Sequence, residues 1–324
     1  MDVVGLGALN LDILYKVRFD ELPQIKKGTE RKIELEEVPF ISKLLKEKAE
    51  FIIKSGGGSA ANTIYALSKM GFSCGFTGRV GEDEEGDFLL QDLGKEGVDT
   101  TKIAREGKTG ICFILVDGEG ERSVFVLPGT NDKLLSQDVD INYINKAKIL
   151  HTASFIGDVS FQAQKKIILD VKVPVSFDPG EPHASRGWDE LLPILKKTWI
   201  LFSTGREIEL LTGQSAKEGS FRISREDTRV VVCKLGSEGS WVISREEEIL
   251  IPAQKVKSVD TTGAGDVYAA GFLAGCLNNL PYPECGRLGT YAAGISIAGF
   301  GRSRYPEKKI LEDFLRKVKV KNDL

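Results

Sequence analysis

Histidine is almost absent from this chain. Only His151 and His183 carry an imidazole among 324 residues, which removes most histidine-based metal sites and leaves a Ser-His-Asp hydrolase just these two to use. Cysteine is scarce and scattered. Cys74, Cys112, Cys233, Cys276 and Cys285 are odd in number, share no C-x-x-C spacing and sit among apolar neighbours, the pattern of reduced core thiols rather than disulfides or zinc ligands. A basic excess is missing too. Lys plus Arg number 44 against 47 for Asp plus Glu, a formal charge of −3, whereas phosphate-backbone binding shows the opposite balance, so no nucleic-acid partner is expected. No apolar run approaches the roughly 18 residues of a membrane span. Met1 is followed at once by the strand pattern DVVGLGAL, so the expectation is a soluble, cytoplasmic protein. A G-x-x-x-x-G-K-[ST] loop does not occur, which disfavours a P-loop NTPase. Chemistry is left to carboxylates, backbone N–H groups and basic side chains.

What is present is an alternation. KAKILHTAS (146–154) precedes the helical VSFQAQKKIILD; VPVSFDP (173–179) precedes WDELLPILKK; TWILFS (198–203) precedes REIELLTG, and TRVVVCKLG (228–236) follows. Apolar strands separated by helices imply a parallel sheet covered on both faces, with ligand sites at the connecting strand ends. Two regions break the rhythm. Residues 10–56 hold a strand-like LDILYKV, a charged KKGTERKIEL and PFISKLLKEKAEFIIK, which reads as helix; residues 109–128, TGICFILVDGEGERSVFVLP, read as a hairpin around DGEGE. Both are expected to form a small β lid. ICFILV is apolar on both faces, so its cover is substrate beneath and a second subunit above, or else the main core. No repeat, low-complexity segment or interdomain linker interrupts the chain.

The stretch DTTGAGD, 260–266, leads into the helical VYAAGFLAGCLNNL. Asp260, Thr261 and Thr262 are N-cap types and Asp266 suits the positive end of a helix, so capping accounts for part of it. Capping does not explain Gly263 and Gly265. They lower helix propensity where a cap needs no glycine, and they let backbone N–H groups approach an anion such as phosphate. A carboxylate beside a phosphate is repelled unless it serves a reaction. On local chemistry the two readings are even. A second helix opens in SGGGSAANTIYALSKMG, 55–71: Gly57 and Gly58 allow close approach, Asn62 offers a donor and an acceptor suited to polyol hydroxyls, and Gly71 suits the C-terminal cap. Tight packing of small residues explains its alanines but not Asn62. Gly5-x-Gly7 in VVGLGALNLD invites a dinucleotide reading, but Asn10 stands where a third glycine belongs and LDILYKV is strand-like rather than helical.

NLD after the first strand, GGxxxN at a helix start and a late GAGD recur together, and the set resembles the ribokinase-type (PfkB) carbohydrate kinase family over nearly the whole chain. FTGRVGEDEEGDFLLQDLGKEGVDT (76–100), TG at 109–110, GER at 120–122, LTG at 211–213 and KLGSEG at 234–239 fall in the family's order, and the segment before GGGSAANT is similar to its adenosine-kinase-like branch. The resemblance implies an α/β fold: a ribokinase-like three-layer sandwich with a mostly parallel central sheet and a small β-sheet lid, one kinase domain over 1–324 with lid segments near 10–56 and 109–128. It implies that Asp266 is the base taking the proton from the accepting hydroxyl, and that the N–H groups of Gly263, Ala264 and Gly265 form the anion hole for the transferring phosphoryl group. Asp12, Gly58 and Asn62 match the substrate-binding positions. The family's N-x-x-E motif, linked to Mg²⁺ through water, falls at Thr204 to Glu207, with Glu207 in place and Thr204 replacing the Asn. Lys234 stands where a Thr is common near the nucleotide, to reach ATP phosphates as a point charge or to be solvated, and Gly236 and Gly239 fit the loop passing the adenine. Some members place K⁺ beside the anion hole, which here points to Asp260, with GFGRSRYP (299–306) as the facing loop. The implied function is ATP-dependent phosphorylation of a hydroxymethyl group on a sugar or sugar derivative, with a lid-mediated homodimer as a possible assembly. A nucleoside kinase of the adenosine type is the alternative acceptor reading. A non-catalytic ligand sensor is the rival from another class, motivated by Thr204 and Lys234.

Overall fold

Strands with apolar residues on both faces need cover on both sides, and helices following each strand supply it. The computed structural model describes residues 1–117, 122–226 and 228–322. Its first eight strands are β1 (Val3–Leu6), β2 (Asn10–Lys16), β3 (Glu30–Lys32), β4 (Glu50–Gly57), β5 (Cys74–Val80), β6 (Asp99–Arg105), β7 (Gly110–Val116) and β8 (Arg122–Leu127). The remainder are β9 (Ile149–Ala153), β10 (Val175–Asp178), β11 (Thr198–Thr204), β12 (Val230–Lys234), β13 (Ser240–Ser244) and β14 (Glu248–Ile251). A nine-stranded sheet runs in the order β14-β13-β12-β11-β10-β9-β1-β5-β6. From β12 to β6 every neighbouring pair is parallel; β13 and β14 add an antiparallel edge that the strand–helix rhythm does not anticipate.

Successive residues of β1 show the layering. Val3 belongs to the core with Ile64, Phe76 and Phe272 on one side of the sheet, and Val4 to the core with Leu150, Phe177 and Ile208 on the other. Helices Ser59–Lys69, Ala264–Leu277 and Tyr282–Ser296 cover the first face; Asp158–Asp170, Trp188–Leu195 and Gly205–Thr212 cover the second. This is a mixed α/β sandwich of three layers. Gly5 has a packing reason: a Cβ there would come within 2.5 Å of Ile64 and 2.6 Å of Phe76. The chain after it enters β2, not a helix, which removes the dinucleotide reading.

The second sheet has five strands in the order β3-β8-β7-β2-β4. Its hairpin β7–β8 is antiparallel as expected, and most of the DGEGE turn lies outside the described residues. Two expectations are corrected here. PFISKLLKEKAEFIIK is not helix throughout: the helix is Val38–Lys48, and Phe51 to Lys54 lie in β4, paired with β2. Three bulky apolar residues in succession, two of them β-branched, sit better in a pleated pair than in a fifth helical turn. The second correction concerns what covers ICFILV. Phe113 and Leu115 pack with Leu11, Ile13, Leu22, Ile33, Ile41 and Leu45, so the outer face of this strand is covered by the chain's own segment 17–48. Cys112 and Ile114 join Leu14 and Val126 on the inner face.

Candidate active site

Ligand sites in open parallel sheets gather at the carboxyl ends of the strands. Asp178 ends β10, Thr204 ends β11 and Lys234 ends β12, so three polar side chains arrive at one edge from an otherwise apolar sheet. Thr204 and Lys234 are register partners across β11 and β12. The Lys234 ammonium donates to Asp178 Oδ2 at 2.7 Å, and Gly180 N–H donates to Asp178 Oδ1 at 3.1 Å. Burial by itself would lower the lysine's pKa, but Asp178, Glu207 and Asp266 around it raise it above the usual lysine value. Lys234 is thus a fixed positive charge, not a solvated one. A Cβ on Gly265 would lie 3.1 Å from its Nζ, so the glycine leaves the space through which the ammonium meets the helix start.

The helix Ala264–Leu277 begins at Gly263, whose φ of 75° is one that an L side chain resists. Among the described residues the N–H groups of Gly263 and Gly265 have no acceptor, while the Ala264 N–H is turned to Thr261 O at 3.2 Å. The free donors of the expected anion hole are therefore those of the two glycines. Asp266, in the first turn, accepts from Asn62 Nδ2 at 2.9 Å, and Thr63 Oγ1 donates to its backbone carbonyl at 3.1 Å. Residues 204 positions apart in sequence meet because helices Ser59–Lys69 and Ala264–Leu277 pack on the same face of the sheet. Deep burial raises the Asp266 carboxyl to about 7; Asp178 and Asp12 push the same way, against Asn62 and Lys234.

Asp12 reaches the same space from the lid. Its carboxylate occupies the room that a Cβ on Gly57 would fill. Burial raises it to about 7, opposed by Arg302 and by the Cys112 thiol. Gly58, with φ 99°, caps the Asn62 helix, and a Cβ there would strike Ala8 O, so this glycine serves chain approach. Asp12, Leu14, Asn62, Asp260, Arg302 and Tyr305 line a pocket of about 20 Å³ under the lid, room for a single water. A larger cleft of about 850 Å³ opens beside it between the lid and the sheet edge, with Arg31, Lys32, Arg122 and Arg206 on its walls and Thr261 at its end.

Thr204 and Glu207 form a reciprocal capping box: Glu207 N–H donates to Thr204 Oγ1 at 3.2 Å and Thr204 N–H donates to Glu207 Oε2 at 2.8 Å. The Thr204 hydroxyl is spent on the helix it starts. Burial, then Asp178, raises the Glu207 carboxyl. No group of three or more His, Cys, Asp or Glu able to hold a metal stands among the described residues. One Glu207 oxygen remains for a metal-bound water, which fits a cation carried in on nucleotide phosphates. Gly236 and Gly239 flank the short turn between β12 and β13; a Cβ on Gly239 would strike Ile251 O, while Gly236 faces open space. Asp260 accepts from Thr262 N–H at 2.9 Å and Gly301 N–H at 3.1 Å, stapling the DTTGAGD and GFGRSRYP loops together.

The histidines stay out. His151 is buried in β9 against Ser176, and burial lowers its pKa to about 4. His183 is buried in the helix Gly180–Ala184, its Nε2 accepting from Phe155 N–H at 3.2 Å. The cysteines are all free, and no helix of the described residues is long and apolar enough to cross a membrane. Sequence reasoning missed Asp178, Arg302 and Tyr305. Asp178 carries the signal of a carboxylate at the end of an apolar strand, and the other two belong to GFGRSRYP.

A profile of the pfkB family carbohydrate kinases matches residues 41–308. A protein of Archaeoglobus fulgidus described as an uncharacterized sugar kinase is 40% identical over 239 residues, covering 72% of this chain and 95% of its own. An ATP-dependent ribose-1-phosphate kinase of Halopiger xanaduensis is 35% identical over 223 residues, covering 68% of this chain and 73% of its own. Among solved structures, the adenosine kinase of Sinorhizobium meliloti superposes with a TM-score of 0.86 at 26% identity, covering 98% of this chain and 99% of that one.

Proposed function

The chain belongs to the PfkB family of carbohydrate kinases and is a phosphotransferase acting on a sugar hydroxyl; we propose that it moves the γ-phosphoryl group of MgATP to a hydroxymethyl group of a sugar or sugar derivative. The observation that carries this is the meeting of Asp266, Asn62 and Lys234 at a helix start whose glycine N–H groups are free. Asp266 takes the acceptor proton as the oxygen bonds to phosphorus. The N–H groups of Gly263 and Gly265, with the Lys234 charge, hold the equatorial oxygens of the moving group. Asp12 and Asn62 orient the acceptor. Glu207 would hold, through water, the Mg²⁺ that accompanies ATP, and that ion would supply charge neutralisation at the phosphates. Gly236 and Gly239 border the nucleotide.

The acceptor is open between classes. The Halopiger relative's name gives a sugar phosphate, and the arginines on the cleft walls suit one. The Sinorhizobium structure favours a nucleoside as the second reading. The test is ADP release from MgATP by the purified chain with ribose, fructose, ribose 1-phosphate and adenosine, run in KCl and in NaCl. ADP in step with a phosphorylated acceptor is expected, faster in K⁺ if a cation binds at Asp260. ATP binding with no ADP from any acceptor would favour a ligand sensor.

A further inference from the structure

Arg302 is 7% exposed, and its guanidinium is held on several sides. Nη1 donates to Asp92 Oδ2 at 2.6 Å, Nε donates to Asn62 Oδ1 at 3.0 Å, and Cζ lies 4.5 Å from the centre of the Tyr65 ring. Its Nη2 is buried with no partner among the described residues.

The contact with Asn62 decides an orientation. A guanidinium only donates, so the amide must turn its oxygen to Arg302, and its Nδ2 is left facing Asp266 Oδ2 at 2.9 Å. Without Arg302 the amide is free to rotate, and its oxygen can then accept from Asp266 when that carboxyl is protonated, which favours the protonated form. From this geometry we infer that Arg302 is a positioning residue for catalysis: through Asn62 it fixes which oxygen of Asp266 is occupied and which is free to take the acceptor proton. The chain Asp92–Arg302–Asn62–Asp266 thereby connects helix Glu84–Lys95, the loop after Tyr282–Ser296, helix Ser59–Lys69 and helix Ala264–Leu277. Arg302 also lines the acceptor pocket and opposes the rise of the Asp12 carboxyl.

The inference rests on Asp266 being the base, and its test is a pH profile. The charged and titratable groups acting on or beside Asp266 are Lys234 of β12, Asp178 of β10, Asp12 of β2 and Tyr305 of the loop; none is altered in the variants. Arg302→Met removes the donors at similar length. The acidic limb of kcat/KM should move up by about one pH unit, the scale of one hydrogen bond to a carboxylate, and kcat at pH 6.5 should fall roughly tenfold. Arg302→Gln, whose Nε2 stands where Arg302 Nε stands and keeps a donor for Asn62 Oδ1 without the charge that opposes the rise of Asp12, should recover most of both. An Arg302→Met protein that folds, binds ATP and keeps the wild-type limb overturns the inference. If that variant does not fold, Asp92→Asn decides: a smaller move the same way is expected, and an unmoved limb overturns it. Wild-type turnover with the same acceptor is the control, since its absence would instead count against the kinase reading.

Discussion

A carboxylate makes a general base at neutral pH only when its surroundings raise its proton affinity without closing its access to the acceptor. Asp266 meets that condition through burial, with Asp12 and Asp178 pushing the same way, and is kept from rising further by Asn62 and Lys234. The base must be ionised to accept a proton. With Asp266 as the proposed base, activity is expected to rise as pH rises through its folded-state value of about 7. We expect kcat/KM, which reports the free enzyme, to climb from pH 5.5 to a plateau above pH 8 with an apparent pKa of about 7. Asp12, raised to about 7 as well, titrates in the same range, so the limb belongs to the pair. A profile flat down to pH 5.5 would show that no buried carboxylate limits the reaction. At this scale the sequence was legible where a residue type has few uses. Asp266 beside two glycines could be singled out because capping does not require them. Arg302 could not, because an arginine in a loop is ordinarily solvated, and only the fold brings Asn62, Asp92 and Tyr65 around it.

The helix starts carry the elements' part of the account. Thr204 to Glu207 has the T-x-x-E signature of a capping box, and both of its hydrogen bonds form, so this stretch begins a helix before it does anything else. Thr204→Ala should lower the unfolding free energy by about 1 kcal/mol, read by urea denaturation, with little change in the KM for ATP. A raised KM at unchanged stability would assign the hydroxyl to the nucleotide instead. Element boundaries were less legible than helix starts. The run that joins Val38–Lys48 to β4 carries no glycine or proline between helix and strand, so periodicity alone carries the helix reading across Ala49. β13 and β14 were obscured by the charged SREEE (244–248) where they meet, whose Arg245, Glu246 and Glu247 form an exposed turn at the sheet edge.

On the scale of the whole molecule, the alternation of apolar strands and helices was sufficient for the parallel part of the large sheet, because strands buried on both faces and separated by helices leave that pattern. The lid was legible as an interruption of that pattern but its outer cover was not. ICFILV shows that both faces are covered; nothing local to it says that the cover is segment 17–48 of the same chain. That segment matters for the reaction. It backs the lid so that Asp12, on the inner face, is held over Asn62 and Asp266, and the acceptor pocket is reduced to about 20 Å³. A cavity of that size admits no sugar, so on the proposed function the lid is expected to lift from the sheet edge for an acceptor to enter. The proposed site is thus assembled from the lid, the strand ends and the glycine-opened helix start, with Asp266 at the centre. The most direct measurement is a comparison of wild type with Asp266→Asn in steady-state ATP-dependent phosphorylation, with ATP and acceptor binding and thermal unfolding followed on the same preparations. Asn62 Nδ2 still finds an oxygen on the amide, so the fold and both binding steps should persist while kcat falls by about 10²–10⁴-fold. A stable Asp266→Asn protein that turns over at near the wild-type rate would contradict the account at its centre.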